Sequence, residues 1–207
     1  MLLYLVRHGE TDWNRAHRIQ GRTDIPLNDS GRQQARETAA LLARRKWDAV
    51  IASPLSRAFE TASIIAAELG LPEPTPLPAV VERNYGQAEG LDYLTLDTRF
   101  PEGTVVPGRE THEEVAARAL PALLEVARQH PDCAVIVVAH GGVIRSVLQA
   151  VEPDVSFGRI SNGSIHSFRY EDGAFSLIAF DDPIEAESER GEALDEQNPA
   201  EAREAVR

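Results

Sequence analysis

The sequence predicts an α/β fold, a three-layer sandwich in which helices flank a mostly parallel central sheet. Continuous apolar runs over 2–6, 48–52 and 134–139 are typical of short strands buried on both faces. Stretches with apolar residues at helical spacing lie between these runs, and strands that alternate with helices imply a parallel or mostly parallel sheet. The 207 residues suit one domain with a sizeable core.

The first helix that flanks the sheet is predicted after a polar loop. Residues 15–32 have no sustained period and are rich in turn formers, so they are interpreted as a loop. Asp29 or Ser30 is the predicted N-cap of a helix that runs to about residue 45. A second helix follows the strand over 48–52, with Pro54 in its first turn and Gly70 as its stop.

The second half contains a long connection and the strongest strand. A strand is predicted over 77–81, and residues 82–107 are irregular, which is typical of a lid or binding loop. A helix over 111–129 contains Pro121, where we expect a kink or an early break. The strand over 134–139 precedes a helix that resumes at Val143, and two paired strands are predicted over 164–170 and 175–180.

Charge is distributed unevenly along the chain. The net charge is −12, and residues 181–207, with ten acidic and three basic side chains, carry −7 of it. The predicted organisation is therefore one folded domain over 1–180 and an acidic, disordered tail over 181–207. An acidic protein is a poor partner for nucleic acid or anionic membranes, and we expect neither.

Other sequence features restrict the compartment and the chemistry. The single cysteine, Cys133, excludes an internal disulfide and has no metal-ligand spacing around it. We expect neither a metal nor another cofactor. No secretory signal and no apolar stretch of roughly 18 residues is present, which leads us to expect a cytoplasmic protein. A homodimer is compatible with the sequence, which does not determine the oligomeric state.

Polar residues follow three of the predicted strands. Arg7, His8 and Gly9 end the first, Arg57 lies at the helix start after the second, and His140 and Gly141 end the strongest. The carboxyl ends of parallel strands share one edge of a sheet, where ligands of α/β proteins bind. Arginine forks and helix N-termini would hold a phosphate dianion there, and Gly9 would expose its N–H to it.

Five motifs, in order along the chain, resemble those of one family. They are Leu5 to Asn14, Gln20 to Asn28, Ser53 to Ala62, Glu82 to Gly86, and Ala139 to Gly142. The ordered set is similar to the histidine phosphatase superfamily, which includes cofactor-dependent phosphoglycerate mutases. The resemblance implies a phosphoglycerate mutase-like fold.

The resemblance also implies roles for individual residues. His8 would be the nucleophile that becomes phosphohistidine, with Arg7, Arg57 and His140 as the phosphate clamp. Glu82 would be the proton donor. Asn14, Gln20, Gly21 and Gly141 would contact the phosphate or the substrate.

Physical arguments support these roles and leave two alternatives open. Nearby cations keep His8 neutral, as a nucleophile requires, and Glu82 must have a raised pKa to begin as an acid. Glu89 lies in the same irregular stretch and is the alternative acid. For Arg57 the alternative is an ion pair with Glu60, and His112 and His166 are interpreted as ordinary surface or packing residues.

The segment after the Tyr85-Gly86 pair distinguishes between activities. Mutases that this chain resembles have a long basic insertion there, whereas residues 87–108 are short and offer only Arg99, with Arg109 immediately following. A mutase must exclude water with a closed lid, so the short segment favours a phosphatase. Apolar lid residues suggest a leaving group with apolar or sugar-like surface: Leu91, Tyr93, Leu94, Leu96 and Phe100.

The sequence therefore predicts a metal-independent phosphomonoesterase, an acid-type histidine phosphatase acting on a small phosphorylated metabolite. The enzyme alternative is a 2,3-bisphosphoglycerate-dependent phosphoglycerate mutase. A non-catalytic phospholigand-binding protein is the alternative from another class. The presence of both a nucleophile and an acid favours an enzyme, because binding alone requires neither.

Overall fold

The computed structural model describes residues 1–182 and 184. Six strands form one sheet: β1 (Leu2–Arg7), β2 (Ala49–Ala52), β3 (Thr75–Pro76), β4 (Ala134–Ala139), β5 (Ile165–Glu171) and β6 (Ala174–Ala179). Six α-helices accompany them: α1 (Asp12–Arg15), α2 (Asp29–Leu42), α3 (Ser56–Leu69), α4 (Tyr93–Arg99), α5 (His112–Gln129) and α6 (Gly141–Val151).

The sheet is mixed, and four of its six strands form a parallel part. Its order is β3-β2-β4-β1-β5-β6, and the first four strands are parallel to one another. β5 runs antiparallel to β1, and β6 is antiparallel to β5. The predicted α/β sandwich is confirmed, and the antiparallel hairpin at one edge makes the sheet mixed.

Alternate residues of the central strands build two cores. Leu3 and Leu5 of β1 belong to the core that α5 and α6 cover, whereas Tyr4 and Val6 belong to the core covered by α2 and α3. Successive side chains of a strand point to opposite faces, so a continuous apolar run is needed where both faces are covered. This is the reason that β1 and β4 were recognisable from sequence.

Several predicted boundaries in the first half of the chain are wrong by a few residues. Asn28, not Asp29 or Ser30, caps α2, since its side chain accepts a hydrogen bond from the Gly31 amide at 2.8 Å. α2 ends at Leu42. Pro54 precedes the N-cap Leu55 of α3 and is outside the helix.

The predictions for the second half need larger corrections. The short strand β3 pairs at Thr75–Pro76, and Pro78–Val80 is a 3₁₀ turn, not a strand. The stretch predicted to be irregular contains α4 and another 3₁₀ turn. α5 continues through Pro121, because buried residues on both sides of the proline, among them Val115 and Leu123, hold it against the core. α6 begins at Gly141, two residues before the prediction.

The predicted tail lies mostly outside the described residues, which exclude 183 and 185–207. Its first residues contact the sheet: the Asp182 carboxylate accepts a hydrogen bond from the Ser167 hydroxyl at 2.8 Å. Ile184 is buried beside Tyr4 and Ile165 in one core. Among the described helices, none is long and apolar enough to cross a membrane.

Candidate active site

The parallel part of the sheet brings the predicted polar residues to one edge. β1 ends at Arg7 and is followed by His8, while β4, its neighbour, is followed by His140, the N-cap of α6. β2 lies on the other side of β4 and leads to Arg57 in the first turn of α3. Because these strands are parallel, side chains far apart in sequence meet at their carboxyl ends.

A cavity of about 830 Å³ opens at this edge. Eight of the nine predicted site residues line it: Arg7, His8, Asn14, Gln20, Gly21, Arg57, Glu82 and Gly141. The ninth, His140, is fully buried, and its ring centroid lies 5.1 Å from that of His8. The volume exceeds what a phosphate needs and leaves room for a leaving group of metabolite size.

His8 is held in one orientation and one tautomer. Its Nδ1 lies 2.7 Å from the Gly9 carbonyl oxygen, and only a protonated nitrogen can hydrogen-bond a carbonyl. Nε2 therefore carries the lone pair, 3.3 Å from the Nε of Arg57. Burial, together with the Arg57 and Arg7 charges, holds the pKa of His8 well below its ordinary value, so the imidazole is neutral.

Arg57 is a fully buried guanidinium held by backbone oxygens. It donates to the carbonyls of Gly21 at 2.7 Å and Thr23 at 2.9 Å. These two bonds orient its plane while leaving its charge unneutralised, which favours an anion beside His8. The alternative ion pair is wrong, because Glu60 instead binds Arg32 at 2.6 Å.

His140 is anchored on one side only. Its Nε2 is 2.8 Å from the Ser53 hydroxyl, and its buried Nδ1 has no hydrogen-bond partner among residues 1–182 and 184. Burial, then the Arg57 charge, lowers its pKa well below the ordinary value. A buried polar atom without a partner costs free energy unless a ligand satisfies it.

Glu82 lies against the N-terminus of α6. One carboxylate oxygen accepts from the amides of Arg83 at 2.7 Å and Val143 at 3.2 Å, and the other from Gly142 at 3.2 Å. Burial raises its pKa, against the lowering effect of those amides and of Arg57. Gly142 is needed for this approach, since a Cβ there would lie 2.5 Å from a Glu82 oxygen.

Glu89, the alternative acid, has a different place. Its carboxylate accepts hydrogen bonds from the amides of Arg22, Thr23 and Tyr85 and does not line the cavity. A Cβ on Gly21, which has φ of +55°, would lie 2.0 Å from a Glu89 oxygen. Glu89 thus holds the loop whose carbonyls orient Arg57.

The expectation for Gly9 is wrong. Its amide donates to the Thr61 hydroxyl at 3.1 Å and is not available to a ligand. A Cβ on Gly9 would lie 2.3 Å from the Gly31 carbonyl oxygen. The glycine therefore serves the close approach of α2, not of a ligand.

Asn162 is a cavity residue that the sequence interpretation missed. Its side-chain amide donates to the His8 carbonyl at 2.9 Å and to the Asn14 side-chain oxygen at 3.3 Å. It links two predicted site residues that precede it by about 150 positions. Its one local signal is its place in a turn directly before β5.

The cavity rim contains further basic residues that were not predicted for the site. They come from four parts of the chain: Arg15, His17 and Arg18; Arg83; Arg109 and His112; Arg145 and Arg159. His112 and His166 were both interpreted as ordinary surface or packing residues, and the structure places His112 in the cavity lining. His166 is fully buried in the sheet and hydrogen-bonds the Ser164 hydroxyl at 3.0 Å.

The lid contributes less than its composition suggests. Of the four apolar lid residues whose side chains the structure describes, only Leu96 lines the cavity, and Leu94 is 84% exposed. The side chain of Tyr93 is outside what the structure describes. Arg99 lies over the Phe100 ring and does not line the cavity.

The residues that the structure describes contain no group of three or more His, Cys, Asp or Glu side chains that could hold a metal ion. The cavity itself is lined by eight arginines and two carboxylates. This arrangement suits an oxyanion held by protein cations.

Comparison with known proteins gives consistent matches. Residues 3–183 match the model of the Histidine phosphatase superfamily (branch 1). An uncharacterized phosphatase, PhoE of Bacillus subtilis, is 39% identical over 169 residues, covering 80% of this chain and 86% of that protein. Phosphoglycerate mutase-like protein 4 of Arabidopsis thaliana is 38% identical over 184 residues, covering 83% and 80%.

A solved structure has the same architecture. The mycobacterial glucosyl-3-phosphoglycerate phosphatase, in a complex with VO3, superposes with a TM-score of 0.79 at 28% identity. The match covers 86% of this chain and 98% of that one.

Proposed function

The chain belongs to the histidine phosphatase superfamily, and we infer that it is a phosphomonoesterase that hydrolyses a small phosphorylated metabolite through a phosphohistidine on His8. The observation that carries this proposal is the His8 side chain. Its unprotonated Nε2 lies at the cavity, next to a buried guanidinium 3.3 Å away.

Substrate binding would place the phosphate dianion among these cations. Arg7 and Arg57 supply charge and N–H donors, and the buried Nδ1 of His140, which has no partner among the described residues, supplies a further contact. Arg57 is pre-oriented by two carbonyls, so little reorganisation is needed when the anion arrives. Charge neutralisation and positioning are what phosphoryl transfer requires.

In the first step, Nε2 of His8 attacks phosphorus and the bond from phosphorus to the ester oxygen breaks. The Gly9 carbonyl accepts from Nδ1 and supports the positive charge that develops on the imidazole. Glu82, whose pKa burial raises, acts in its protonated form and gives its proton to the departing alkoxide. The products are the free alcohol and phosphohistidine.

In the second step, water attacks the phosphohistidine. The Glu82 carboxylate takes a proton from that water, and the bond from phosphorus to Nε2 breaks. The products are inorganic phosphate and neutral His8, with Glu82 protonated again. Each catalytic group returns to its starting state, and no metal ion takes part in either step.

A phosphatase is favoured over a mutase because water must reach the phosphohistidine. The segment between Gly86 and Arg109 is short, and among the α4 side chains that the structure describes only Leu96 lines the cavity. A mutase must retain the phosphoryl group until the intermediate is turned over, which needs a lid that excludes water.

The test is release of inorganic phosphate, with EDTA present, from a panel of phosphomonoesters that includes an aryl phosphate, phosphosugars and 3-phosphoglycerate. We expect release by the natural chain and none by His8→Ala, with acid-labile labelling of His8 in the natural chain alone. His130→Ala, outside the cavity, is the matched control.

Two results would contradict the proposal. Release that persists in His8→Ala would exclude the phosphohistidine. Conversion of 3-phosphoglycerate to its isomer, dependent on a bisphosphoglycerate primer and without phosphate release, would identify a mutase.

A further inference from the structure

The cavity extends beyond the groups that the proposed reaction uses. On the side of Glu82, its wall contains Arg83, Arg109, His112 and Arg145, which we call the rim cluster. Arg83 follows Glu82 directly in the chain, and Arg145 lies on α6 one turn after Gly142, which binds the Glu82 carboxylate. The rim cluster therefore lies on the side where the leaving alcohol would sit.

Arg83 is buried but is held by neutral groups. It is 8% exposed, and its guanidinium donates to the Glu110 carbonyl at 2.6 Å and to Nε2 of His112 at 2.9 Å. His112 accepts through Nε2, so its Nδ1 is protonated and bonds the Ser146 hydroxyl at 2.8 Å. A neutral imidazole thus positions the guanidinium without cancelling its charge.

Arg109 lies close to Arg83. Both guanidinium groups pack on the ring of Tyr85, each 5.4 Å from its centroid. Burial lowers the pKa of Arg83, and the Arg109 charge lowers it further. The two cations therefore repel each other, and an anion bound beside them would relieve the repulsion.

The carboxylate of Glu110, which follows Arg109 in the chain, is engaged by other arginines. Glu110 binds Arg22 at 2.9 Å and Arg118 at 3.1 Å. Arg145 is held by the carbonyls of Phe157 and Gly158, which again leave its charge in place. A chain with a net charge of −12 has thus gathered positive charge on one wall of one cavity.

We propose that the rim cluster is a second anion subsite, so that the substrate is a phosphomonoester whose alcohol carries another carboxylate or phosphate group. This rests on the proposed function, which places the alcohol beside Glu82. Arg109 and Arg145 would contact the second anion. Arg83, which His112 positions, would also contact the second anion.

The source of the positive charge differs from what the sequence suggested. The lid arginine, Arg99, lies outside the cavity, whereas the rim cluster comes from loops and helices that precede and follow the lid. Counting cations in the lid alone therefore underestimates the charge that a substrate meets.

The test uses pairs of phosphomonoesters that differ in one anionic group. They are 3-phosphoglycerate with glycerol 3-phosphate, phosphoserine with phosphoethanolamine, and fructose 1,6-bisphosphate with fructose 6-phosphate. The first two pairs probe a carboxylate and the third a second phosphate. We expect kcat/KM to favour the anionic member of at least one pair by about ten-fold or more, the effect of one charge-assisted hydrogen bond.

Arg109→Ala should reduce that preference about ten-fold, chiefly through KM. Because Arg109 is exposed, we expect Arg109→Ala to fold normally. Arg145→Gln provides a second, independent variant. Arg99→Ala removes an arginine outside the cavity and should leave the preference intact.

Two outcomes would overturn the subsite. One is equal kcat/KM for both members of all three pairs. The other is an equal loss on both members in Arg109→Ala and Arg145→Gln. In either case, turnover of an aryl phosphate would show that the proposed phosphatase activity stands. Failure of the proposed function itself would instead appear as no phosphate release from any ester.

Discussion

His8 and Glu82 need opposite protonation states for the proposed reaction, and burial moves their pKa values in the required directions. The pKa of the His8 imidazole is lowered, so the nucleophile is neutral well below pH 6.5. The pKa of the Glu82 carboxyl is raised from 4.5, so the acid keeps its proton to higher pH. A single desolvated cavity therefore prepares both groups, since burial disfavours whichever form is charged.

These directions predict the pH dependence of kcat/KM. Activity should rise with pH as His8 loses its proton and fall as Glu82 loses its own, giving a maximum at mildly acidic to neutral pH. Glu82→Gln should abolish the descending limb and lower kcat/KM on an alkyl phosphate by about 10²–10⁴-fold. Profiles of both proteins on one alkyl ester provide the measurement.

An aryl phosphate separates the two proposed roles of Glu82. Its phenolate leaves without a proton, so Glu82→Gln should release one equivalent of phenol in a burst and then turn over slowly. Glu89→Gln should keep the descending limb. A profile that still rises above about pH 9, or a limb lost in Glu89→Gln instead, would contradict the assignment.

At the scale of elements, close backbone contacts bring the helix starts to the strand ends. The carbonyl of Glu10 accepts from the Asn28 amide at 3.1 Å, and a Cβ on Gly31 would lie 2.1 Å from that same oxygen. In α3, Thr61 accepts from the Gly9 amide while its hydroxyl donates to the Arg57 carbonyl at 2.7 Å. The segment after β1 is thus held between two helices.

Gly31→Ala should therefore destabilise the protein by about 2 kcal/mol or more, because neither the α2 backbone nor the Glu10 backbone can move aside easily. Urea denaturation gives the change in the free energy of unfolding. Gly158→Ala is the control, since its Cβ would meet nothing closer than 3.8 Å. Equal stabilities of the two variants would contradict the proposed contact.

At the scale of the whole molecule, three histidines are buried in the neutral form. His8, His140 and His166 are each at most 2% exposed, and burial lowers the pKa of each, that of His166 to about 4. Unfolding returns them to ordinary values near 6.5, so the unfolded chain binds more protons below that pH. Their contribution to stability is complete above pH 6.5 and is lost as pH falls.

We therefore expect the free energy of unfolding to decrease as pH falls from 6.5 toward 4. His166 alone accounts for about 3 kcal/mol over that interval, with a limiting slope of about 1.4 kcal/mol per pH unit. Glu82, whose pKa is raised, contributes with the opposite sign. Denaturation at several pH values should show a shallower slope in His166→Gln, whatever its stability at neutral pH. Parallel curves would contradict the assignment.

Much of this protein could be predicted from local sequence. The continuous apolar runs of β1 and β4 predicted a sheet covered on both faces, and the structure confirms the α/β class. The superfamily and the phosphatase class, predicted from motifs, are confirmed by the family match and by phosphatase-named relatives. The roles of the individual site residues remain predictions that the variants above test.

Other features were decided by the tertiary structure alone. Glu82 rather than Glu89 lines the cavity because the start of α6 packs against it. Asn162 reaches His8 only because β5 pairs with β1, and the rim cluster exists because the start of α5 packs against α6. Strand patterns and motifs are local properties that the sequence by itself determines. The contacts between loops join residues that are 34 to 154 positions apart in the sequence, and no local pattern records such packing.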